Sequence, residues 1–211
     1  MKHDHNPKLL VARGYDRIAK ELLRQHQASA WGRRREYLER LVDTLPDGAW
    51  VLDLGCGPGI PHTEWLSRRF SAVGVDISRA QLALARQHVP GATFVLADMC
   101  SLQFQPASFD AIAAMYSIIH VPREQHEGLL RNLFDFLKPG GCLFVVLGAG
   151  AWEGSEDDWL GLGAEMWWSH FDAETGLDLL ASAGFRPVVS QIEPDNLSGG
   201  AHLFVLAEKP R

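Results

Sequence analysis

Long hydrophobic runs are absent from this sequence. Its 211 residues contain no stretch of eighteen or more apolar residues, so no segment reads as a membrane-spanning helix. The first sixteen residues are polar and lack the apolar core of a secretory signal peptide. A hydrophobic content of 46% with charges of both signs is typical of globular proteins. We therefore expect a cytoplasmic protein of one domain with no membrane partner.

Cysteine is scarce, and metal-ligand spacing is missing. The three cysteines are odd in number and far apart, at Cys56, Cys100 and Cys142. They suggest neither a disulfide framework nor a zinc site, which fits a reducing cytosol. His3 and His5 lie in a polar terminal segment, and His62 and Glu64 are two positions apart on a predicted helix, where they face different directions. The sequence therefore predicts no metal site.

Positive charge is scarce outside the N-terminal segment. The formal net charge is −6, yet the first forty residues hold ten of the twenty Lys and Arg. A nucleic-acid-binding protein usually shows a basic surface with interleaved aromatic residues. Here only this segment is basic, with Arg33, Arg34 and Arg35 in a row. We interpret the triplet as the solvated face of a helix, so nucleic acid is not expected as a partner.

Helix and strand patterns alternate along the chain. Residues 14–45 read as helix with a break near Trp31-Gly32, and further helices are predicted at 78–89, 122–138 and 173–184. Strands are predicted at 50–56, 71–77, 92–98, 109–117, 141–148, 185–193 and 201–209, and 150–172 reads as irregular. This alternation predicts an α/β fold with a parallel sheet, in which the short link between the last two strands makes one of them antiparallel.

A glycine loop follows the first strand in VLDLGCGPGI, with Gly55, Gly57 and Gly59. The spacing departs from the dinucleotide fingerprint Gly-x-Gly-x-x-Gly, because residue 60 is Ile. No Gly-Lys-Ser/Thr follows, so the Walker phosphate loop is also excluded. Closely spaced glycines still let the backbone approach a ligand without Cβ clashes.

Two acids end the strands next to this loop. Asp76 ends the second strand, and an acid about twenty residues after such a loop is placed to accept hydrogen bonds from a ribose diol. Asp98 ends the third strand. Ligands of open α/β sheets bind outside the carboxyl ends of the strands. Loop and acids together predict a nucleoside site with no strong demand for phosphate.

Five segments in this order resemble the class I S-adenosylmethionine-dependent methyltransferases: VLDLGCGPG, VGVDIS, FVLADMC, FDAIAAMYSIIHV and FLKPGG. The resemblance covers roughly residues 45–147, and GYDRIA near the N-terminus resembles the small-molecule branch. It implies a Rossmann-like, seven-stranded, mostly parallel sheet with an antiparallel last strand and helices on both faces. The single domain 1–211 would comprise a helical lid (1–45), a cofactor-binding core (46–147), an acceptor-loop insertion (148–172) and a C-terminal helix and strand pair (173–211).

The resemblance also implies S-adenosyl-L-methionine as cofactor. Asp53 would orient its amino group from beneath the loop, Asp76 would hold the ribose hydroxyls, and Asp98 would accept from the adenine amino group. The alternatives are a turn cap for Asp53 and a helix cap for Asp98. The implied cofactor residues are Tyr15, Asp53, Gly55, Cys56, Gly57, Asp76, Ile77, Gln81, Asp98, Met99 and Met115.

Candidate acceptor residues lie beyond the fourth strand. His120 and Tyr116 are the catalytic candidates, since imidazole suits proton transfer near neutrality; packing is the alternative for His120. Residues 150–172 hold four of the seven tryptophans and no Lys or Arg. Aromatic faces with acids suit an apolar, aromatic or cationic acceptor. The candidate substrate residues are Trp152, Trp167, Trp168 and His170.

Each of these acceptor residues has a structural alternative. The tryptophans could form the core of a lid, with the acids on its wet face. His170 could instead set the start of the following helix, where Asp172 is the expected N-cap.

The expected function is therefore in-line methyl transfer to oxygen or nitrogen of a small hydrophobic or aromatic metabolite. A base is needed only where the acceptor starts protonated. Two alternatives stay open: an RNA or protein methyltransferase that uses the basic N-terminal segment, and a cofactor-binding protein that does not methylate. An oxidoreductase is disfavoured by the glycine spacing.

Overall fold

The computed structural model describes residues 6–28, 31–195 and 200–211, so His3 and His5 lie outside the described residues. The helices are α1 Pro7–Ala28, α2 Arg34–Val42, α3 His62–Ser67, α4 Arg79–His88, α5 His126–Phe136 and α6 Ala173–Ser182. The strands are β1 Trp50–Leu54, β2 Ser71–Asp76, β3 Thr93–Leu96, β4 Phe109–Ala114, β5 Leu137–Gly148, β6 Trp152–Glu156, β7 Met166–His170, β8 Arg186–Pro194 and β9 Ala201–Glu208. None of the helices in these ranges is both long and apolar enough to cross a bilayer.

Seven strands form one sheet in the order β3-β2-β1-β4-β5-β9-β8. The sheet is parallel except for β9, which runs antiparallel to both β5 and β8. This confirms the predicted seven-stranded, mostly parallel sheet with an antiparallel last strand. The physical reason is the one anticipated, because parallel neighbours need a crossover of about a dozen residues or more, and only residues 195–200 lie between β8 and β9.

Helices cover both faces of the sheet. On one face α5 and α6 bury Leu129, Leu133 and Leu180 against strand residues such as Ile112. On the other face α2 buries Tyr37, Leu38 and Leu41 against Val51 and Phe144. The central strands are therefore apolar on both sides, as expected for a parallel sheet. These two cores fix the carboxyl ends of the strands, where the predicted site lies.

Helix boundaries follow from local capping. α1 begins at Pro7, earlier than the predicted residue 14, because Asn6 Oδ1 accepts the amide hydrogen of Lys8 (3.1 Å) and proline suits the first helical position. Ser78 caps α4, accepting from Gln81 N (3.1 Å), and Asp172 caps α6, accepting from Thr175 N (2.9 Å). Both predicted caps are confirmed.

The prediction that residues 150–172 are irregular is wrong. This segment contains the antiparallel pair β6–β7, which joins Trp152 to His170 and Glu156 to Met166. The hairpin is stabilised from outside its own sequence, since Met166 and Ala164 pack against Val11, Ile18 and Leu22 of α1. We call α1 together with the β6–β7 hairpin the cap layer. Its strand signal was weak locally because tertiary packing supplies the stability.

Candidate active site

A cavity of about 650 Å³ lies at the carboxyl ends of the parallel strands, where open α/β sheets bind ligands. The cap layer closes one side of it. After the roles expected from the sequence, we call the part lined by Gly55, Gly57, Asp76, Gln81 and Asp98 its cofactor half, and the part lined by Arg34, Tyr116, Trp152, Trp168 and His202 its acceptor half. The predicted site residues that line the cavity are Tyr15, Gly55, Gly57, Asp76, Ile77, Gln81, Asp98, Met99, Tyr116, His120, Trp152, Trp168 and His170.

Asp76 connects the glycine loop to the start of α4. Its Oδ2 accepts the amide hydrogen of Gly57 (2.8 Å), and its Oδ1 accepts that of Ser78 (2.8 Å). Gly55 and Gly57 have φ values of +79° and +55°, which glycine adopts without strain. The surrounding protein strips water from the Asp76 carboxylate and raises its pKa to about 6. Near neutral pH the carboxylate is therefore ionised but poorly hydrated, so hydrogen-bond donors from a ligand would stabilise it.

The unpartnered amide of Gln81 indicates whether the residues of this cavity fit a nucleoside cofactor. It is 1% exposed and lines the cavity, yet neither its amide oxygen nor its amide nitrogen has a hydrogen-bond partner within the part of the chain that the structure describes. A buried amide without partners is costly, so such a group points to a ligand that supplies both a donor and an acceptor. A ribose hydroxyl beside Asp76 does both. The residues present therefore fit an adenosyl group.

Four predicted site residues do not reach the cavity wall. Asp53 is buried beneath the glycine loop, where it accepts the Thr63 hydroxyl hydrogen (2.6 Å) and burial raises its pKa to about 6. The Cys56 side chain packs against Leu82 and Ala85 of α4, and burial raises the pKa of its thiol. Met115 is buried in the core beside α2.

Trp167 is the fourth of these residues, and it differs from its neighbour Trp168. Successive side chains of a strand point to opposite faces. Both tryptophans of β7 pack against the cluster that α1 forms with the hairpin, but Trp168 also lines the cavity and Trp167 does not. The sequence left pocket and packing open for both residues, and the register of β7 separates them.

α1 makes three polar contacts around the cavity. Lys8 Nζ donates to Asp98 Oδ2 (2.6 Å). Asp16 Oδ1 accepts from the Ser78 hydroxyl (2.6 Å) and from the amide of Ala80 at the start of α4 (2.9 Å). Asp98 also accepts from Cys100 N (2.9 Å), so it caps a short turn while lining the cavity. These bonds tie the cap layer to the ends of β2 and β3.

The third contact joins Tyr15 to His120. His120 Nδ1 lies 2.7 Å from the carbonyl oxygen of Trp167, which can only accept, so Nδ1 carries the hydrogen. His120 Nε2 then accepts from the Tyr15 hydroxyl (2.9 Å). Burial lowers the pKa of His120 to about 4 and raises that of Tyr15. In this conformation His120 is a neutral ring that holds α1 and β7 together, with both nitrogens occupied.

Tyr116 lies at the centre of the acceptor half. Its φ of +54° is rare for a side chain other than glycine and turns the residue out of β4 into the cavity. The Arg34 guanidinium carbon is 5.6 Å from its ring centre, and the His202 ring stands edge-on at 4.9 Å. Burial raises the pKa of Tyr116 to about 12, so the phenol stays protonated near neutral pH.

Arg34 corrects the interpretation of the arginine triplet. Arg33 and Arg35 are exposed, as predicted, but Arg34 is half-buried and lines the cavity. The signal was present in the sequence, because Arg34 lies three, four and seven positions before Tyr37, Leu38 and Leu41, the buried face of α2. The interpretation of the triplet considered its charge alone and therefore missed the position of Arg34 on the buried face of α2.

The acids of residues 150–172 do not make the cavity acidic. Glu156 lies at its mouth, whereas Glu153 bonds to Arg123 and Ser169 at the surface. Asp172 caps α6. Lys8 and Arg34 also face the cavity, so its polar lining carries charges of both signs.

Comparisons with known proteins agree with this geometry. Residues 51–141 match the family model described as a methyltransferase domain. The trans-aconitate 2-methyltransferase of Variovorax paradoxus is 40% identical over 129 residues, 60% of this chain and 48% of that protein. The 2-phytyl-1,4-naphtoquinone methyltransferase of Thermosynechococcus vestitus is 33% identical over 144 residues, 63% of this chain and 61% of that protein. The chain thus spans less than two thirds of either relative.

The fold is shared with solved structures of the same kind. The 1,6-didemethyltoxoflavin-N1-methyltransferase of Burkholderia thailandensis, solved with its substrate and S-adenosylhomocysteine, superposes with a TM-score of 0.74 at 19% identity, covering 100% of this chain and 92% of that one. The glycine loop, the acids near the strand ends and the sheet order thus lie in a segment that matches a methyltransferase domain, within a fold shared with a solved methyltransferase that binds S-adenosylhomocysteine.

Proposed function

We propose that this protein is a cytoplasmic enzyme that methylates a small molecule at oxygen or nitrogen, with S-adenosylmethionine as donor. The observation that carries the proposal is that one cavity is lined both by the residues of the cofactor half and by those of the acceptor half, with Tyr15, Trp152 and Trp168 of the cap layer among them. Relatives and structural neighbours whose names give small methyl acceptors support it: trans-aconitate, a naphthoquinone and 1,6-didemethyltoxoflavin.

The cofactor half would hold the donor through complementary polar groups. The Asp76 carboxylate and the Gln81 amide would hold the ribose hydroxyls, and Asp98, which already accepts from Lys8, would hold the adenine amino group. The backbone of Gly55 and Gly57 lies against the methionine part, with Asp53 beneath the loop. When bound, S-adenosylmethionine supplies a methyl group already activated by the sulfonium. The chain itself aligns the acceptor, and such positioning can lower a barrier by about 7–11 kcal/mol at best.

The acceptor half suits a molecule with an apolar or aromatic body. Trp152 and Trp168 form an aromatic wall, and their ring centres are 5.7 Å apart. Arg34 and Tyr116 form the opposite side with His202. A few fixed polar groups in an aromatic pocket orient a ligand rather than merely enclose it. We infer that the acceptor is a small hydrophobic or aromatic metabolite carrying one polar nucleophile.

The decisive experiment follows the methyl group. Labelled S-adenosylmethionine is incubated with the protein and with metabolite, RNA and protein fractions of a cell extract. Label in one metabolite fraction is the expected result. Label in RNA or protein would instead make this a macromolecular methyltransferase. Binding of S-adenosylhomocysteine with no label in any fraction would leave a cofactor-binding protein that does not methylate.

Affinity for S-adenosylhomocysteine should fall at acid pH. Ribose hydroxyls donate to the ionised Asp76 carboxylate, so protonation competes with binding. The free-protein pKa of Asp76 is raised to about 6, so the competition begins below that pH. We expect roughly tenfold weaker binding for each pH unit below about 6, and constant affinity from there to 8. Calorimetric titration between pH 5 and 8 measures this, and flat affinity down to pH 5 would contradict it.

We also propose that the cap layer closes over the bound cofactor. Tyr15→Phe removes the hydroxyl that donates to His120, which costs about 1 kcal/mol, so amide exchange in α1 should quicken roughly fivefold. S-adenosylhomocysteine should slow exchange in both α1 and the β6–β7 hairpin of the unmodified protein. Tyr37→Phe is the matched control, since its hydroxyl bonds to Gln191 and Glu193 far from α1. Ligand-induced protection in neither segment would rule closure out.

A further inference from the structure

We propose that His202, oriented by Asp195, is the base that removes a proton from the methyl acceptor. This rests on the proposed function, because it assumes that the acceptor nucleophile enters as an O–H or N–H group. In the sequence His202 follows a Gly-Gly pair near the C-terminus, a position that could reach the same end of the sheet.

The topology of β9 brings His202 to the acceptor. β9 runs antiparallel to its neighbours, so its first residues lie at the edge where the parallel strands end. His202 is paired with Gly148, the last residue of β5, and with Glu193 of β8. Its ring stands 4.9 Å from that of Tyr116 and lines the cavity. A histidine early in an antiparallel strand thereby joins residues from the ends of parallel ones.

The other two histidines of the cavity are less suited to take a proton. His120 has both ring nitrogens in hydrogen bonds, to Trp167 and Tyr15. His170 Nδ1 lies 2.7 Å from the carbonyl oxygen of Gly150, so it donates to a neutral group there and not to an acid. Within residues 6–28, 31–195 and 200–211, the ion pairs include one between a histidine and an acid, and it joins His202 to Asp195. A base needs such a partner to stabilise the imidazolium that forms.

The hydrogen bonding of the His202 ring is incomplete in this conformation. Nδ1 is buried and has no hydrogen-bond partner among the described residues, while Asp195 Oδ2 lies 3.9 Å away. That distance is too long for a hydrogen bond, but catalytic hydrogen bonds are often long in the free enzyme and shorten when substrate binds. Asp195 N donates to Gly200 O (2.9 Å), so Asp195 lies two residues beyond Glu193, the residue paired with His202, and diagonally from His202 across the β8–β9 pair. A small approach would make Nδ1 donate to Asp195 and leave the Nε2 lone pair available.

Charged groups around His202 favour a neutral ring that can become charged. Burial lowers its pKa, Asp195 opposes that effect, and His170 adds to it. Glu193 on β8 is held by Arg33 and Tyr37, and Arg34 of α2 faces Tyr116. Near neutral pH the imidazole is therefore unprotonated, and Asp195 is the acid beside it that stabilises the protonated form.

The step balances without a further reactant. The X–H bond of the acceptor breaks and its proton passes to Nε2 of His202. The freed electron pair forms the X–CH3 bond, and the electrons of the sulfur–methyl bond stay on sulfur. His202 then returns its proton to water. Tyr116, a neutral phenol, can hydrogen-bond to X throughout.

Two measurements test this. First, nitrogen-15 NMR of the histidine rings is recorded in the S-adenosylhomocysteine complex. We expect His202 with its hydrogen on Nδ1, and a lower pKa for it in Asp195→Asn, since the carboxylate charge raises that pKa. Asp178→Asn, an exposed acid on α6, is the matched control and should leave the His202 pKa unchanged. A hydrogen on Nε2, or no change in Asp195→Asn, would overturn the proposal.

Second, methyl transfer to the metabolite fraction is compared between the unmodified protein and His202→Gln. We expect at least a hundredfold loss in His202→Gln with S-adenosylhomocysteine affinity unchanged, in line with general-base catalysis. The acid limb of the pH–rate profile should move to lower pH in Asp195→Asn. Undiminished transfer by His202→Gln would overturn the base assignment alone. No transfer by the unmodified protein would overturn the proposed function instead. In that case the NMR experiment still shows whether His202 has the tautomer and the Asp195-dependent pKa of a general base.

Discussion

Replacement of Asp76 by Ala should weaken S-adenosylhomocysteine binding at least a hundredfold. In the proposed site the carboxylate would accept from the ribose hydroxyls, and it already accepts the amide hydrogens of Gly57 and Ser78 (both 2.8 Å). Its loss removes two charge-assisted hydrogen bonds to the ligand. It also removes the two hydrogen bonds that hold the glycine loop and the start of α4 in place. Hydrogen bonds to a charged group contribute about 1.5–3 kcal/mol each, so a loss of about 3 kcal/mol, roughly a hundredfold, is the lower bound.

Calorimetric titration measures this effect. Asp47→Ala is the matched control, because Asp47 is exposed and pairs with Arg69 near the amino-terminal ends of β1 and β2, away from the cavity. Its affinity should equal that of the unmodified protein. Circular dichroism separates a binding defect from unfolding, since the sheet cores do not depend on Asp76. Unchanged affinity in a folded Asp76→Ala protein would mean that the cofactor site is misassigned.

Two alanine substitutions in the glycine loop should impair different properties, namely stability for Gly55→Ala and cofactor binding for Gly57→Ala. A Cβ on Gly55 would lie 2.2 Å from Ser117 Cβ, at a φ of +79°. Ser117 cannot move aside easily, because it is buried and its hydroxyl donates to Leu54 O (2.7 Å). Strain and overpacking together should destabilise Gly55→Ala by about 2–5 kcal/mol, which lowers Tm by roughly 5–15 °C.

Gly57→Ala should instead leave the fold nearly intact and impair the site. Its φ of +55° costs an alanine about 1–2 kcal/mol, but no protein atom described by the structure lies within 4 Å of the added Cβ. That open space belongs to the cavity wall where the cofactor would approach the backbone. We expect roughly tenfold weaker S-adenosylhomocysteine binding or more, with only a small change in Tm.

Thermal unfolding and titration of the two variants side by side separate these effects. A Gly57→Ala protein that binds S-adenosylhomocysteine normally would show that the loop backbone does not contact the cofactor. A Gly55→Ala protein of normal Tm would show that Ser117 can be displaced, against its buried hydrogen bond.

Elements with a strong local signal were predictable. The end of β2 at Asp76 and the caps at Ser78 and Asp172 each depend on a few neighbouring residues, whereas β3 ends at Leu96, two residues before the predicted Asp98, which caps the following turn. The β6–β7 hairpin was not, because it is held by α1, which is more than a hundred residues away in the chain. The same reason applies to the bond between Tyr15 and His120, which no sequence spacing reveals.

Local sequence patterns were enough to predict the sheet, the glycine loop and the acids near the strand ends, since alternating hydrophobicity and turn residues fix where each strand stops. Which side chains line the acceptor half of the cavity depends on the tertiary structure. A shift of one residue in the register of β7 would exchange Trp168 for Trp167 in the cavity. Likewise, Arg34 and His202 come together at Tyr116 from opposite ends of the chain because α2 packs on the sheet and β9 runs antiparallel. Such contacts depend on packing between distant elements, which no local pattern encodes.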